Sequence, residues 1–597
     1  MCGISGIYNS NEKQIETKKI IKKILAVQHL RGPDDSGIWE SDCKKIIFGH
    51  NRLSIIDLSI NARQPFISID KEYTITFNGE IYNYDEIKTE LINNGKRFKS
   101  NSDTEVIIEA YKYWDLEFIK KLRGMFAFAI WDNKKKKLIL ARDPFGIKPL
   151  YYSKKDSVFY FASQIKSFLS LDNHNFKKNE QSILDYYLWG NIREPNTLYK
   201  DIFSVPAGSI KVLDIKCNEI NYEYANIKKT ILEAKSSYFR SKSELNENLA
   251  HIIKETANYH QVSDVPVTFL LSSGIDSNIL LAATDKHKSH KIDAITVDFS
   301  EKPKESTLAQ IGAKINKTDH KTQIVRDDEI NLLIKKFNKY MDLPTNDGLN
   351  NFLVSHFAKK NGSKVLISGI GGDEFFFGYP SFRRIPIMNG ISKIIPKNKI
   401  IQNFFYQVSL KFLNSFKKKS KYAGLIKYSH NSFKSFMLLR CLFTPEEIRE
   451  FTENNFINKS LDNYEFENEN ENNEFESQEL KIMYYEIKYY LCSKLLRDAD
   501  WASMSNSIEL RTPFVDWFFF KELVPILKSN LKVSKRNMLD AFRKNIPSEL
   551  YKRKKTGFEI PYKQYYNKIS NHPPRFLDPI KDWSLLCYEN YLSNEKN

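Results

Sequence analysis

The chain predicts two unlike folds in series, an α+β domain first and a parallel α/β domain after it, closing in a mostly helical part. Three observations predict this. Short apolar stretches with strand alternation crowd the first 210 residues (YTITFN at 73–78, MFAFAIWD at 125–132, KLILAR at 137–142, FYFAS at 159–163), with only a few helical patterns such as DTEVIIEAYKYW at 103–114. Beyond residue 243, apolar runs (VTFLL at 267–271, DAITVDF at 293–299, KVLIS at 364–368) alternate with helical segments, the pattern of a parallel sheet. A chain of 597 residues also exceeds what one hydrophobic core serves.

Taken in order, residues 2–214 form the first expected domain and the polar, Lys/Asn-rich residues 215–242 a linker. An amphipathic helix, ELNENLAHIIKETANYH at 244–260, opens the second domain, 243–597, which turns helical beyond about residue 385. An acidic, Asn-rich insertion at about 460–479 reads as solvated and without chemistry. There is no internal repeat.

Composition narrows the function classes. The chain is 41% hydrophobic and 27% charged, which is globular. No apolar run is long enough to cross a bilayer, and the start lacks a basic stretch followed by an apolar one, so a cytoplasmic protein is expected. Six cysteines, at 2, 43, 217, 441, 492 and 587, form no C-x-x-C pair, which argues against a disulfide framework and structural zinc. The net charge of +18 accompanies lysines spread along the chain and no nucleic-acid signature, so it reads as a solvated basic surface. Lys-rich runs at 134–137 and 417–419 stand out; the second ends an amphipathic stretch from about Ile391 suited to a membrane surface.

The first chemistry lies at the N-terminus. Cys2 follows the initiator Met, and removal of that Met leaves a cysteine with a free α-amine, a base for its own thiol near neutral pH. Acyl transfer also needs oxyanion donors, a carboxylate for a substrate amine and a cation for a substrate carboxylate. Turn-like segments supply each: Arg52 in GHNRLSIIDL, Asn78, Gly79 and Glu80 in FNGEIYNY, Asp103 in NSDTEVI.

Together with MCGI, RGPDDSG, GMFAFAIWD and RDPFGIKPLYY, these segments resemble class II glutamine amidotransferase domains over nearly all of 2–210. The resemblance implies the N-terminal-nucleophile hydrolase fold, stacked antiparallel sheets between helices. It implies that Cys2 attacks the glutamine carboxamide while Asn78 and Gly79 hold the oxyanion. Arg52, with Leu53 and Ser54 beside it, takes the glutamine α-carboxylate, and Asp103 with Glu80 the ammonium. One departure is Leu30 before Arg31, where the family usually has His.

The second chemistry is a phosphate loop. VTFLLSSGIDSNILLAA passes from strand through a Ser/Gly loop into a helix, aiming backbone N–H groups and the positive helix end at an anion. It resembles the PP-loop of ATP pyrophosphatases, with Ser273 replacing the first glycine of the usual pair. If the backbone there has positive φ, that side chain costs about 1 kcal/mol or more, although its hydroxyl is also a donor to phosphate. KVLISGIGGDEFFFGY, LLRDADWASMSNSIELRTPFVD and RKKTGFEIP extend the likeness to asparagine synthetases. This implies an ATP site from Leu271, Ser272, Ser273, Gly274, Asp276, Ser277, Val297, Ser368 and Gly369, magnesium on Asp276 and Asp373, and Lys555 balancing charge on the reacting phosphate.

The combined expectation is a ligase that hydrolyses glutamine and channels ammonia, with the apolar GMFAFAIWD segment a channel wall or a plain core strand. It activates aspartate as an acyl-adenylate and releases asparagine, AMP and pyrophosphate. Expected partners are glutamine, ATP and aspartate, with a homodimer as the assembly and no nucleic acid. A second departure bears on the acceptor: Ile370 stands where the family carries an acidic residue, a candidate proton acceptor for attacking ammonia. Either another carboxylate substitutes, with Asp347 a candidate, or the acceptor is a different carboxylate such as a sugar uronic acid of a surface polysaccharide. A dead scaffold and a basic nucleic-acid binder are the readings from other classes.

Overall fold

The computed structural model of the chain describes residues 1–10, 16–155, 157–171, 175–285, 292–299, 305–392, 398–415, 423–452, 455–462, 464, 474–552, 560–570, 572–576 and 578–595. Its first part holds β1 (Gly3–Asn9), β2 (Asp35–Glu40), β3 (Ile46–Arg52), β4 (Phe66–Ile67), β5 (Tyr73–Ile81), β6 (Gly124–Asp132), β7 (Lys137–Arg142), β8 (Tyr151–Lys155), β9 (Val158–Ala162), β10 (Phe203–Ser204), β11 (Ser209–Leu213) and β12 (Glu219–Glu223). They make two antiparallel sheets, ordered β10-β8-β9-β1-β3-β2 and β12-β11-β7-β6-β5-β4. Strand alternation explains how they stack. Along β6, Ala127, Ala129 and Trp131 pack with Ile4, Tyr8 and Phe48 of the facing sheet, while Phe126 and Phe128 pack with Val106, Ile107 and Ala110 of the helix Asp103–Trp114.

The segment GMFAFAIWD is therefore mostly sandwich core; of its side chains, Met125 joins the apolar cluster shared with the second part of the chain. Two other expectations change. Within 215–242, β12 pairs with β11 over five residues and the helix Ile227–Glu233 follows. The strand was hidden because it is an edge, exposed on both faces, so its sequence carries little apolar alternation. Residues 463 and 465–473 of the acidic insertion lie outside the described residues, but Tyr464 is buried there, its hydroxyl 2.8 Å from Asp185 Oδ1.

The second part is built on β13 (Val267–Leu270), β14 (Asp293–Phe299), β15 (Asp319–Val325), β16 (Val365–Ile367) and β17 (Glu509–Arg511), all parallel and ordered β15-β14-β13-β16-β17. The order reverses at β13, so the loops leaving β13 and β16 diverge and open a crevice at their carboxyl ends. Open parallel sheets bind ligands at such a switch point.

Candidate functional site

Two cavities hold the sequence-predicted residues. The first is small, about 30 Å³, and is lined by Cys2, Arg52, Leu53, Gly79, Glu80 and Asp103 together with Met1 and Glu509. β1, β3 and β5 bring these groups together, since Cys2 precedes β1, Arg52 ends β3, and Asn78 to Glu80 lie within β5. The Cys2 backbone N–H donates to Asn78 Oδ1 at 2.9 Å. That contact turns the other end of the amide, Nδ2, into a buried donor with no partner. A buried, unmatched N–H costs about 1–3 kcal/mol; Asn78 adjoins the cavity through Cys2 and Gly79 without being one of its lining residues. Gly79 admits no side chain: a Cβ would lie 2.2 Å from the Met125 carbonyl oxygen across the β5–β6 pair.

The electrostatics of this cavity are opposed. Burial pushes the Cys2 thiol above its ordinary value, while the nearby N-terminal ammonium, the Leu53 backbone and the Arg52 guanidinium pull it down. Arg52 donates to the carbonyls of Ser59 at 3.2 Å and Asp57 at 2.5 Å, so the loop 56–59 fixes its planar fork. The Ser54 N–H is held by Asp34 at 2.9 Å. Burial raises Asp103 to about 6, although its Oδ2 accepts the Ile81 N–H at 3.1 Å. Glu80 is also raised by burial, with Arg511 pulling the other way.

Glu80, expected beside Asp103, lines the cavity with it and is also tied to the second part of the chain. Its Oε2 is 3.1 Å from Arg511 Nη2, and Oε1 has no partner. Arg511 in turn bonds Glu509, 2.6 Å away, and Glu509 pairs with the Met1 ammonium at 3.2 Å. Strand β17 of the second part therefore supplies one wall of the first cavity.

The second cavity, about 280 Å³, sits in the crevice between β13 and β16 and is lined by Leu271, Ser272, Gly274, Asp276, Ser277, Val297, Ser368, Gly369 and Asp373, nine of the expected nucleotide and metal residues. Gly274 begins the helix Ile275–Ala283, whose N-terminus therefore faces the crevice. The Ser277 hydroxyl and the Asn278 amide tie the loop together through Ser272 and Gly274. Ser273 does not line the cavity. It is absent from the positive-φ residues, so no backbone strain arises, and its hydroxyl donates to Glu305.

Asp276 and Asp373 converge on one cation, Lys535, whose ammonium lies 2.6 Å from Asp276 Oδ2 and 2.5 Å from Asp373 Oδ1. Burial lowers the Lys535 pKa, but the two carboxylates outweigh it and hold the pKa above its ordinary value. A pair of carboxylates already focused on a positive charge is a donor set suited to magnesium shared with phosphates. Lys535 was missed in the sequence. The available signal was a Lys-Arg pair in the first turn of the helix Lys535–Ala541, where the helix dipole disfavours cations.

Ile370 lines this cavity, as do Glu374, Tyr379, Asn350 and Asn351. Asp347, the expected substitute carboxylate, is not among the lining residues, and its Oδ1 accepts the Gly348 N–H at 2.8 Å. Glu374 is the carboxylate found there beyond Asp276, Asp373 and Glu305, and its Oε1 accepts the Tyr379 hydroxyl at 2.7 Å. Lys555 lies outside the described residues.

An apolar zone joins the two cavities' surroundings. Met1, Leu53, Ile55, Ile56, Tyr82, Met125 and Phe145 from the first part share one buried cluster with Phe375, Phe514, Val515 and Phe520 from the second. Phe145 packs edge-on against Trp517 and Phe520 and tilted against Phe375, which follows Asp373 by two residues. Around it run buried ion pairs: Arg31 with Asp500 at 2.8 Å, Lys148 with Asp500 at 3.2 Å, and Arg123 with Asp516 at 3.0 Å.

Comparison with known proteins gives two family matches in the order of the two sites: a glutamine amidotransferase domain over residues 1–224 and an asparagine synthase model over 248–575. "Asparagine synthetase [glutamine-hydrolyzing] 1" of Bacillus subtilis (strain 168) is 31% identical over 593 residues, spanning 96% of this chain and 89% of that protein. "Putative asparagine synthetase [glutamine-hydrolyzing] 2" of Methanocaldococcus jannaschii is 33% identical over 404 residues, 64% of this chain and 76% of its own. "Amidase chry2" of Gibberella zeae is 31% identical over 415 residues, 64% and 60% of the two chains.

Proposed function

The chain belongs to the asparagine synthase family, with a glutamine amidotransferase domain ahead of an ATP-dependent amidation domain, and from that premise we propose that it makes asparagine from aspartate, glutamine and ATP. The observation that carries the reading is the pairing of two chemically distinct cavities across one apolar, ion-rimmed interface. In the first, Cys2 attacks the glutamine carboxamide once Met1 is removed, with its own α-amine as base. The unpartnered Asn78 amide takes the oxyanion, Arg52 the α-carboxylate, and Asp103 with the open oxygen of Glu80 the ammonium. Ammonia released there is protected from protonation by water if it moves through the apolar zone around Met125 and Phe145.

In the second cavity the helix end at Gly274 and the Ser272 and Ser277 hydroxyls cradle the β and γ phosphates while the acceptor carboxylate attacks the α-phosphorus. Asp276 and Asp373 would hold magnesium, which supplies charge neutralisation for the departing pyrophosphate. Lys535 keeps the two carboxylates from repelling one another and is assigned to balance phosphate charge once the nucleotide is bound. Lys555 is assigned the same kind of work on the reacting phosphate. Reaction in the cytoplasm, as a homodimer, completes this reading.

A second reading, amidation of a different carboxylate such as a uronic acid, is favoured by Ile370 and by the neutral amides Asn350 and Asn351 in the cavity. The deciding experiment measures pyrophosphate and AMP release with glutamine, ATP and each acceptor in turn. Aspartate-dependent release, accelerated by Ile370→Glu, supports asparagine synthesis. Release with a uronic acid and none with aspartate moves the assignment to the second reading, and ADP with phosphate as products would refute both.

A further inference from the structure

We propose that the consecutive helices Ser381–Ser392 and Lys399–Ser415 dock the protein on an anionic lipid bilayer, lying in the interface without crossing it. Along residues 400–408 of Lys399–Ser415 the apolar side chains face outward. Gln402 and Tyr406, one turn apart, are buried against the protein; Gln402 Nε2 lies 2.8 Å from His430 Nε2, and the Lys427 ammonium sits 4.1 Å from the Tyr406 ring. Ile400, Phe404 and Val408, four residues apart, form a stripe on the outside with Ile401 and Phe405, and Ile400 and Phe404 are 79% and 66% exposed. The preceding helix buries apolar residues in the ordinary way, Phe382, Ile385 and Met388, yet it too leaves Ile387 and Ile391 outside. A helix face that leaves Ile400, Ile401, Phe404, Phe405 and Val408 in water, with only Asn403 and Gln407 as polar neighbours among residues 400–408, suits the boundary of an apolar phase.

Charge selects that phase. Residues 375–445 contain thirteen Lys or Arg and no Asp or Glu, so this stretch alone carries thirteen of the net +18. The cations themselves are hardly denser here than elsewhere; it is the lack of any carboxylate that concentrates the net charge. Lys427 and Arg440 are paired with Glu446 and Glu486 from outside the stretch, while Arg383 and Arg384 are exposed on the first helix. Nucleic acid would satisfy the cations and leave Ile400, Phe404 and Phe405 in water. An anionic bilayer offers phosphates for the cations and acyl carbon for the stripe. No helix among the described residues is long and apolar enough to cross a membrane. The first helix begins two residues after Tyr379, which lines the second cavity, and is pinned at its start by the Ser381 hydroxyl on Glu486. A docked helix pair therefore holds that cavity at a fixed orientation to the surface.

The test is co-sedimentation of the full chain with vesicles of mixed phosphatidylglycerol and phosphatidylcholine, against phosphatidylcholine alone. Binding to the anionic vesicles, weakened by salt, is expected. Phe404→Ser with Phe405→Ser should reduce it about tenfold while glutaminase activity stays at the unmodified level; Ile400→Ser with Val408→Ser is the second pair, should the first fold poorly. No binding to anionic vesicles at low salt, or binding untouched by both pairs, overturns the proposal. So does a dimer in sedimentation velocity that these substitutions dissolve, since the stripe would then belong to a second copy.

Discussion

At the scale of single residues, the first cavity is defined by groups left incomplete. Asn78 spends its carbonyl oxygen on the Cys2 N–H and keeps a buried amide donor with nothing to bond. If that donor serves the oxyanion, Asn78→Ala should lower glutaminase kcat by about 10²–10³ with little change in KM; a loss confined to KM would place the amide on the ground-state substrate instead. Asp103, raised to about 6 by burial, carries a pH consequence. A substrate ammonium needs the carboxylate charged, so binding glutamine below that pH must first remove a proton. The glutaminase KM should therefore rise as pH falls through about 6, and Asp103→Asn should flatten the profile while raising KM throughout. A KM independent of pH between 5 and 7, with the native residue in place, would contradict the role. In the second cavity Lys535→Met should remove most ATP-dependent turnover, roughly 10²-fold or more, and leave glutamine hydrolysis intact, because Asp276 and Asp373 would lose the cation on which they converge.

At the scale of elements, each active segment is a strand end followed by a turn, and that is why it was legible. Strand-to-helix loops carry their own local signals, Ser/Gly runs after apolar runs, so the segments 271–277 and 368–373 could be placed from sequence, and most of their residues, though not Ser273, line one cavity. Their convergence follows from β13 and β16 being neighbours at the point where strand order reverses. What the sequence withheld is distant pairing. Lys535 reaches Asp276 across 259 residues, and Arg511 reaches Glu80 across 431, with no local periodicity to announce either. Edge strand β12 was hidden for the opposite reason, too little burial to leave a pattern. Gly371 illustrates an element's tolerance. Its φ is +99°, and a Cβ there would lie 2.7 Å from Val515 Cγ2. Gly371→Ala should therefore displace the loop that carries Ser368 and Asp373, costing about 1–2 kcal/mol in backbone strain alone, and weaken ATP-dependent turnover while sparing the glutaminase. Unchanged nucleotide affinity would show that the loop relaxes without moving its polar groups.

At the scale of the whole molecule, one short strand faces both chemistries. The Arg511 carbonyl accepts the Ser368 N–H at 2.9 Å, inside the ATP crevice, while its guanidinium holds Glu80 and Glu509 in the wall of the glutamine cavity. The same guanidinium donates to the carbonyls of His260 and Val262 at 2.8 and 2.7 Å, so its position is fixed on every side. A shift of β17 when the crevice fills must therefore be felt at Glu80, and coupling between two binding sites is reciprocal. ATP together with the acceptor should tighten glutamine binding and stimulate the glutaminase, and glutamine should tighten nucleotide binding by the same factor by which its own affinity rises. Removing Arg511 outright would strand Glu80 as a buried, unpaired charge and leave Glu509 only the Met1 ammonium, a loss of about 3–5 kcal/mol that risks unfolding. Arg511→Lys is the sharper variant, because it keeps the charge and loses the fork that reaches two carboxylates and two carbonyls at once. It should retain basal glutaminase and ammonia-dependent synthesis, yet respond less to ATP and acceptor, so that more glutamine is hydrolysed per pyrophosphate released. A variant whose hydrolysis-to-synthesis ratio and ATP stimulation both match the unmodified protein would show that the two cavities communicate by another route.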